Sequence, residues 1–146
     1  MTTRRTYLAT LGAVATSTSA LAGCLGGSGG SGSSKFDGWL AATGNFDAVT
    51  EKTDADGVTV DVGTKGNNGY NAFAPAAVKV STGTTVVWEW TGKGRHNVVA
   101  KNTDFRSNLL TREGETFEHT FDEPGTYKYY CSPHRSLGMK GVVVVE

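Results

Sequence analysis

The chain has 146 residues, 38% of them hydrophobic and 10% aromatic, a length and composition that suit one ordinary globular domain. Its formal net charge is zero, and the first 23 residues hold Arg4 and Arg5 but no acid, so the remainder carries 12 basic against 14 acidic residues and gives no reason to expect nucleic acid as a partner. No run of 18 apolar residues is present, which excludes a strong permanent helical membrane span.

The opening Thr3-Arg4-Arg5-Thr6-Tyr7-Leu8 pairs two arginines ahead of a mildly apolar stretch and resembles a twin-arginine export signal. The stretch from Leu8 to Leu21 is short and rich in Ala, Thr and Ser, as expected of a processed segment and not of a stable span. It ends in Leu21-Ala22-Gly23-Cys24, which resembles the lipobox of prokaryotic lipoproteins. The expectation is a signal peptide over residues 1–23 and a lipidated Cys24 that anchors the protein to the outer face of the cell membrane. A disulfide between Cys24 and Cys131, the only two cysteines, is the plainer reading for an exported chain. Each cysteine, however, sits in a more specific motif of its own. Gly26 to Ser34 is almost entirely Gly and Ser, so residues 24–35 are expected to form a flexible linker. The folded domain is expected over residues 36–146.

Residues 36–43 suit a short helix, after which the pattern is that of strands. Val58-Thr59-Val60-Asp61-Val62 and Val86-Val87-Trp88-Glu89-Trp90 alternate apolar and polar at period two. Val78 and Val80 mark a short strand. Phe117, His119 and Phe121 share one face of another, and Tyr127, Tyr129 and Cys131 share one face of the next. Val142 to Val145 is an apolar run suited to a buried final strand. Turn signals separate these segments, among them Asp56-Gly57, Gly66-Asn67-Asn68-Gly69, Gly92-Lys93-Gly94 and Pro124-Gly125. Short strands broken at such intervals point to an all-β sandwich or barrel.

The chemistry is concentrated near the C-terminus, in Tyr130-Cys131-Ser132-Pro133-His134-Arg135-Ser136-Leu137-Gly138-Met139-Lys140-Gly141. Within nine residues this segment offers a thiolate, an imidazole and a thioether, and His96-Asn97 upstream adds a second imidazole. Two His, one Cys and a weak Met form the ligand set of a blue-copper site, because soft sulfur favours Cu(I) while imidazole serves both oxidation states. The spacing is mechanically reasonable. Cys131 ends a strand, Pro133 breaks the ladder, and Gly138 and Gly141 allow tight turning about Met139. His96 must come from a different strand, which pins the loop to the sandwich.

With these residues in view, the chain resembles the plastocyanin-like cupredoxins, and among them the halocyanins, lipid-anchored copper proteins of halophilic archaea. The resemblance runs through Phe36-Asp37-Gly38-Trp39-Leu40, Phe73-Ala74-Pro75, the stretch from Gly83 to Gly92, His96-Asn97-Val98-Val99, Phe117 to Phe121, Pro124 to Cys131, and His134 to Gly141. It implies a cupredoxin-type Greek-key β-sandwich of about seven or eight strands. It also implies one type 1 copper ion, with His96, Cys131 and His134 as strong ligands and Met139 as the long axial one. Asn97 and Ser132 would tie the two ligand loops together by hydrogen bonding. His134 would present its ring edge as the electron port, with Leu137, Pro133 and Ala74 on an apolar rim. The implied role is a membrane-anchored one-electron carrier, not an enzyme, serving redox partner proteins of a membrane electron-transport chain, with a monomer as the default. One departure is charge: proteins of halophilic archaea are usually strongly acidic, and this chain is near neutral.

The residues also weigh against other copper chemistries. A copper redox enzyme such as a nitrite reductase needs further His ligands, and with His96 and His134 used only His119 remains. His119 lies between Phe117 and Phe121 and reads as a neutral, hydrogen-bonded histidine. A binuclear electron-transfer site needs a second Cys near Cys131. Copper storage tends to use Met- or Cys-rich ligand sets, and the chain has two Met. Structural zinc takes Cys, His or carboxylate and has no use for Met139. Trp88, Trp90, Tyr127 and Tyr129 read as core. Arg95, Arg135 and Lys140 are either solvated charges or steering groups for an acidic partner, and the sequence leaves both open.

Overall fold

The structure is a computed structural model that describes residues 35–146. The expected signal segment, Cys24 and the linker up to Ser34 lie outside the described residues. Nine strand segments follow in order: β1 (Thr50–Glu51), β2 (Gly57–Thr64), β3 (Ala72–Ala74), β4 (Ala77–Val80), β5 (Thr84–Trp90), β6 (Val99–Ala100), β7 (Thr116–Phe121), β8 (Gly125–Tyr130) and β9 (Lys140–Val145). They form two sheets, a five-stranded one ordered β1-β4-β9-β8-β6 and a four-stranded one ordered β3-β2-β5-β7. This is the expected sandwich, with more segments than the seven or eight anticipated because β1 and β6 are only two residues long.

The alternation read from the sequence sets the core. Val58, Val60 and Val62 of β2 and Val86, Trp88 and Trp90 of β5 are buried. The two strands run parallel, with Val60 opposite Trp88 and Val62 opposite Trp90. On the other side of β5, Phe117 of β7 stands opposite Trp88. Trp88 is the hub of the interior, its ring 5.3 Å from Tyr129 and 5.7 Å from both Phe105 and Phe117. Edge and tilted contacts of this kind add to the burial of the rings themselves.

The apolar run of β9 has a structural cause. Val143 and Val145 face the main core, while Val142 belongs to a second cluster with Trp39, Leu40 and Ala77 on the outer face of the same sheet. The strand is therefore covered on both faces and cannot alternate. That cover is where the expectation of a helix over residues 36–43 fails. Lys35–Gly38 is a single 3-10 turn with Phe36 and Asp37 in the left-handed region, φ 57° and 58°. Further i to i+3 turns follow: the N–H of Ala41 donates to the Gly38 carbonyl and that of Thr43 to Leu40. Tertiary bonds override helical propensity here. Trp39 Nε1 donates to the Gly141 carbonyl at 3.1 Å and Thr43 Oγ1 to the Gly138 carbonyl at 2.8 Å. Both acceptors lie in or just beyond the Cys-His-Met segment, so the N-terminal cover braces that segment from outside.

Candidate metal centre

The chain leaves β5 at Trp90, turns through residues 92–95 and delivers His96, which is 1% exposed. Its backbone is fixed on both sides. His96 exchanges two hydrogen bonds with Leu110, N–H to carbonyl at 3.1 Å and carbonyl from N–H at 2.9 Å, and its carbonyl also accepts the indole N–H of Trp90 at 3.0 Å. The ring is fixed as well. Nε2 donates to the Lys93 carbonyl at 2.7 Å, so the proton sits on Nε2 and Nδ1 carries the free lone pair.

Cys131 follows the last residue of β8 and is fully buried. The chain then makes a 3-10 turn over Ser132–Leu137 with Pro133 in its first turn, where a missing N–H is harmless. The loop closes on its own backbone. The N–H of His134 donates to the Cys131 carbonyl at 3.2 Å, that of Met139 to His134 at 3.2 Å, and that of Cys131 to Met139 at 3.1 Å. Gly138 ends the turn at φ 101°, where a Cβ would run into the Ala42 carbonyl, so this position requires glycine. Gly141 acts differently from the expected turning residue. It lies in β9 at negative φ, and the ring of Tyr129 occupies the space a Cβ would need.

Three of the four predicted donors converge. His96 Nδ1 lies 3.2 Å from His134 Nδ1 and 3.7 Å from Cys131 Sγ, and His134 Nδ1 lies 3.4 Å from the same sulfur. Among the described residues, His96, Cys131 and His134 are the group able to hold a metal ion. Met139 is fully buried in the core cluster that also contains Cys131, and its backbone bonds to both Cys131 and His134. Two imidazole nitrogens and a sulfur thus face one another across 3.2–3.7 Å, and His96 Nδ1, which carries no proton, presents its lone pair to that space. A cation between them satisfies all three at once. Two imidazoles, one thiolate and a nearby thioether suit a soft, redox-active ion, so the donor set fits copper.

Burial pushes the Cys131 thiol up, partly offset by the backbone N–H groups of Asn97 and His134. Burial likewise holds His96 below the ordinary imidazole range, opposed by the Lys93 carbonyl and reinforced by the charge of His134. A metal entering the site therefore meets neutral imidazole and displaces a proton from the thiol.

Asn97 and Ser132 lie between the two loops. Asn97 Oδ1 accepts the Ser132 N–H at 2.8 Å, and Asn97 Nδ2 donates to Ser132 Oγ at 3.4 Å. His134 is only half-buried, and Leu137 beside it is 41% exposed. Pro133 is exposed and Ala74 partly so. Sequence reasoning missed two other exposed hydrophobics: Tyr70, whose ring centroid lies 5.3 Å from Lys93 Nζ, and Leu109, next to the Leu110 bridge to His96. It also missed the Lys93 carbonyl, which no side-chain pattern could reveal. His119 stands apart from the converging donors, stacked on Phe105 at 4.7 Å and edge-on to Phe121 at 4.8 Å.

A family model for copper binding proteins of the plastocyanin/azurin family matches residues 58–146. The halocyanin of Natronomonas pharaonis is 51% identical over 102 residues, covering 67% of this chain and 61% of that protein. The chloroplastic plastocyanin of Fritillaria agrestis is 38% identical over 101 residues, covering 61% of each. The chain thus spans less than two thirds of the length of these curated relatives. Among solved structures, a purple cupredoxin from Nitrosopumilus maritimus superposes with a TM-score of 0.53 at 31% identity, covering 61% of this chain and 99% of that one.

Proposed function

This chain belongs to the plastocyanin/azurin family of copper-binding proteins, and we propose that it works as a mononuclear blue-copper electron carrier, with the ion held by His96, Cys131, His134 and Met139. Copper supplies the redox chemistry, alternating between Cu(I) and Cu(II) with the gain and loss of one electron. The observation that carries this reading is the approach of His96 Nδ1, His134 Nδ1 and Cys131 Sγ to within 3.2–3.7 Å of one another.

The protein's own residues make the site stiff. The Lys93 carbonyl and the Leu110 bridge hold His96, the self-closed loop holds Cys131, His134 and Met139, and Asn97 fastens one to the other. Donors fixed before the ion arrives do not rearrange when its charge changes, which is what fast one-electron exchange needs. Half-buried His134 is the route by which the electron leaves, since the other donors are buried. A catalytic copper would need imidazoles of its own, and His119, the one remaining, is engaged with Phe105 and Phe121. The protein is a carrier and not a catalyst.

The location belongs to the same proposal. Residues 1–23 direct export and are removed, Cys24 carries lipid, and residues 24–35 tether a monomeric domain, residues 36–146, to the outer face of the membrane. There it exchanges electrons with partners of a membrane-bound chain. Mass spectrometry of the mature protein reads this directly: a diacylglycerol-modified Cys24 at the N-terminus is expected, and an unmodified one refutes the anchor. For the carrier function, voltammetry of the copper-loaded protein is expected to give one reversible one-electron wave. No wave, or two waves per chain, would overturn it.

A further inference from the structure

The outer face of the five-stranded sheet, beside the metal loop, gathers basic side chains on two aromatic rings. Lys140 Nζ lies 4.7 Å from the centroid of Trp39, Arg135 Cζ 5.5 Å and Lys101 Nζ 5.6 Å. Arg135 also lies over Tyr130, 4.4 Å from its centroid, and Tyr130 meets Trp39 edge-on at 6.3 Å. Three cations from three separate places, the segment after β6, the metal loop and β9, thus share one indole.

Like charges so close repel, and the electron-rich face of one ring offsets only part of that repulsion. Among the described residues none of the three has a carboxylate within salt-bridge distance. The neighbouring Lys128 has Asp37 at 3.4 Å, and Lys79, elsewhere on the sheet, has both Glu51 and Glu146. The whole chain has as many acids as bases, so the shortage of acid on this face is local.

We infer that the face formed by Lys101, Arg135 and Lys140 around Trp39 and Tyr130 docks a partner protein through a cluster of carboxylates on that partner. A guanidinium stacked on a ring keeps its in-plane N–H edges free, the geometry that takes a carboxylate by two parallel hydrogen bonds. Two lysines flank it as point charges. Recognition of an anionic membrane uses clusters of about four to eight basic residues, more than the three unpaired here, so a compact protein patch fits better than a lipid surface. Arg135 directly follows His134 and Tyr130 directly precedes Cys131. A partner seated here lies against the chain neighbours of two of the three converging donors. That this position serves electron exchange rests on the carrier reading; the docking itself does not.

The test is fluorescence anisotropy of a labelled hexaglutamate peptide titrated with the full chain, with hexalysine peptide and vesicles of phosphatidylcholine and phosphatidylglycerol as the competing probes. Hexaglutamate is expected to bind, and its affinity to fall about tenfold between low and physiological salt as the pairs are screened. The Arg135→Gln/Lys140→Gln variant is expected to weaken binding about tenfold, and Lys101→Gln to weaken it less, while Lys79→Gln leaves it unchanged. Circular dichroism is run on each variant to establish that it is folded. Equal binding of hexalysine, an equal loss in Lys79→Gln, no loss in the folded Arg135/Lys140 variant or in Lys101→Gln, or binding to vesicles without binding to hexaglutamate would each overturn the inference. Peptide binding can fail while the copper spectrum stands, and the reverse, so the two readings are tested separately.

Discussion

His96 donates its Nε2–H to the Lys93 carbonyl, and this one hydrogen bond leaves the Nδ1 lone pair facing Cys131 and His134. In the proposed site Cys131 would supply the sulfur whose charge transfer to copper gives colour, so Cys131→Ser is expected to abolish the visible band and nearly all redox response, read by absorption and voltammetry. Met139→Gln is expected to retain copper but lower the potential, because an oxygen donor favours Cu(II). An unchanged potential would mean that Met139 does not reach the ion. Asn97→Ala leaves the Ser132 N–H without its acceptor and is expected to cost about 1–3 kcal/mol in urea denaturation. These side chains were legible in the sequence because Cys, His and Met are scarce in this chain and three of them crowd into nine residues. The Lys93 carbonyl and the Leu110 bridge were not, because a backbone atom carries no residue identity.

At the scale of elements, the metal loop is held from three directions: by its own backbone bonds, by Asn97, and by the N-terminal turns through Trp39 and Thr43. Gly138 is its tightest point. Gly138→Ala combines a left-handed φ with a collision against the Ala42 carbonyl and is expected to destabilise the fold by more than about 1 kcal/mol. A denaturation midpoint equal to that of the parent would refute this. Strands β2, β5 and β7 could be read in advance because their burial alternates residue by residue, and β8 because Tyr127, Tyr129 and Cys131 put one face toward the core. Strands β1, β3 and β6 could not, since two or three residues hold no period. The expected helix over residues 36–43 failed because the bonds that unwind it reach residues about a hundred positions away, beyond any local pattern.

For the molecule as a whole, protonation and metal act on one balance. His96 and His119 are both held below the ordinary imidazole value of 6.5, chiefly by burial. The unfolded chain therefore takes up protons at a higher pH than the folded one. The stability that these two histidines contribute is complete above about pH 6.5 and is lost as the pH falls below it. Urea midpoints of the metal-free protein at pH 8 and pH 5.5 are expected to show the fall, and equal midpoints would contradict it. Copper binds the folded arrangement and raises the thermal midpoint, so chelation is expected to lower it. The claim that joins these scales is that one ion sits between His96, Cys131, His134 and Met139. Its most direct measurement is the combined absorption and electron spin resonance spectrum of the Cu(II)-loaded protein, taken beside Cys131→Ser. An intense blue band and a narrow copper hyperfine splitting, both absent from the variant, are expected. A colourless Cu(II) protein, or a variant with the same spectrum, would contradict the account.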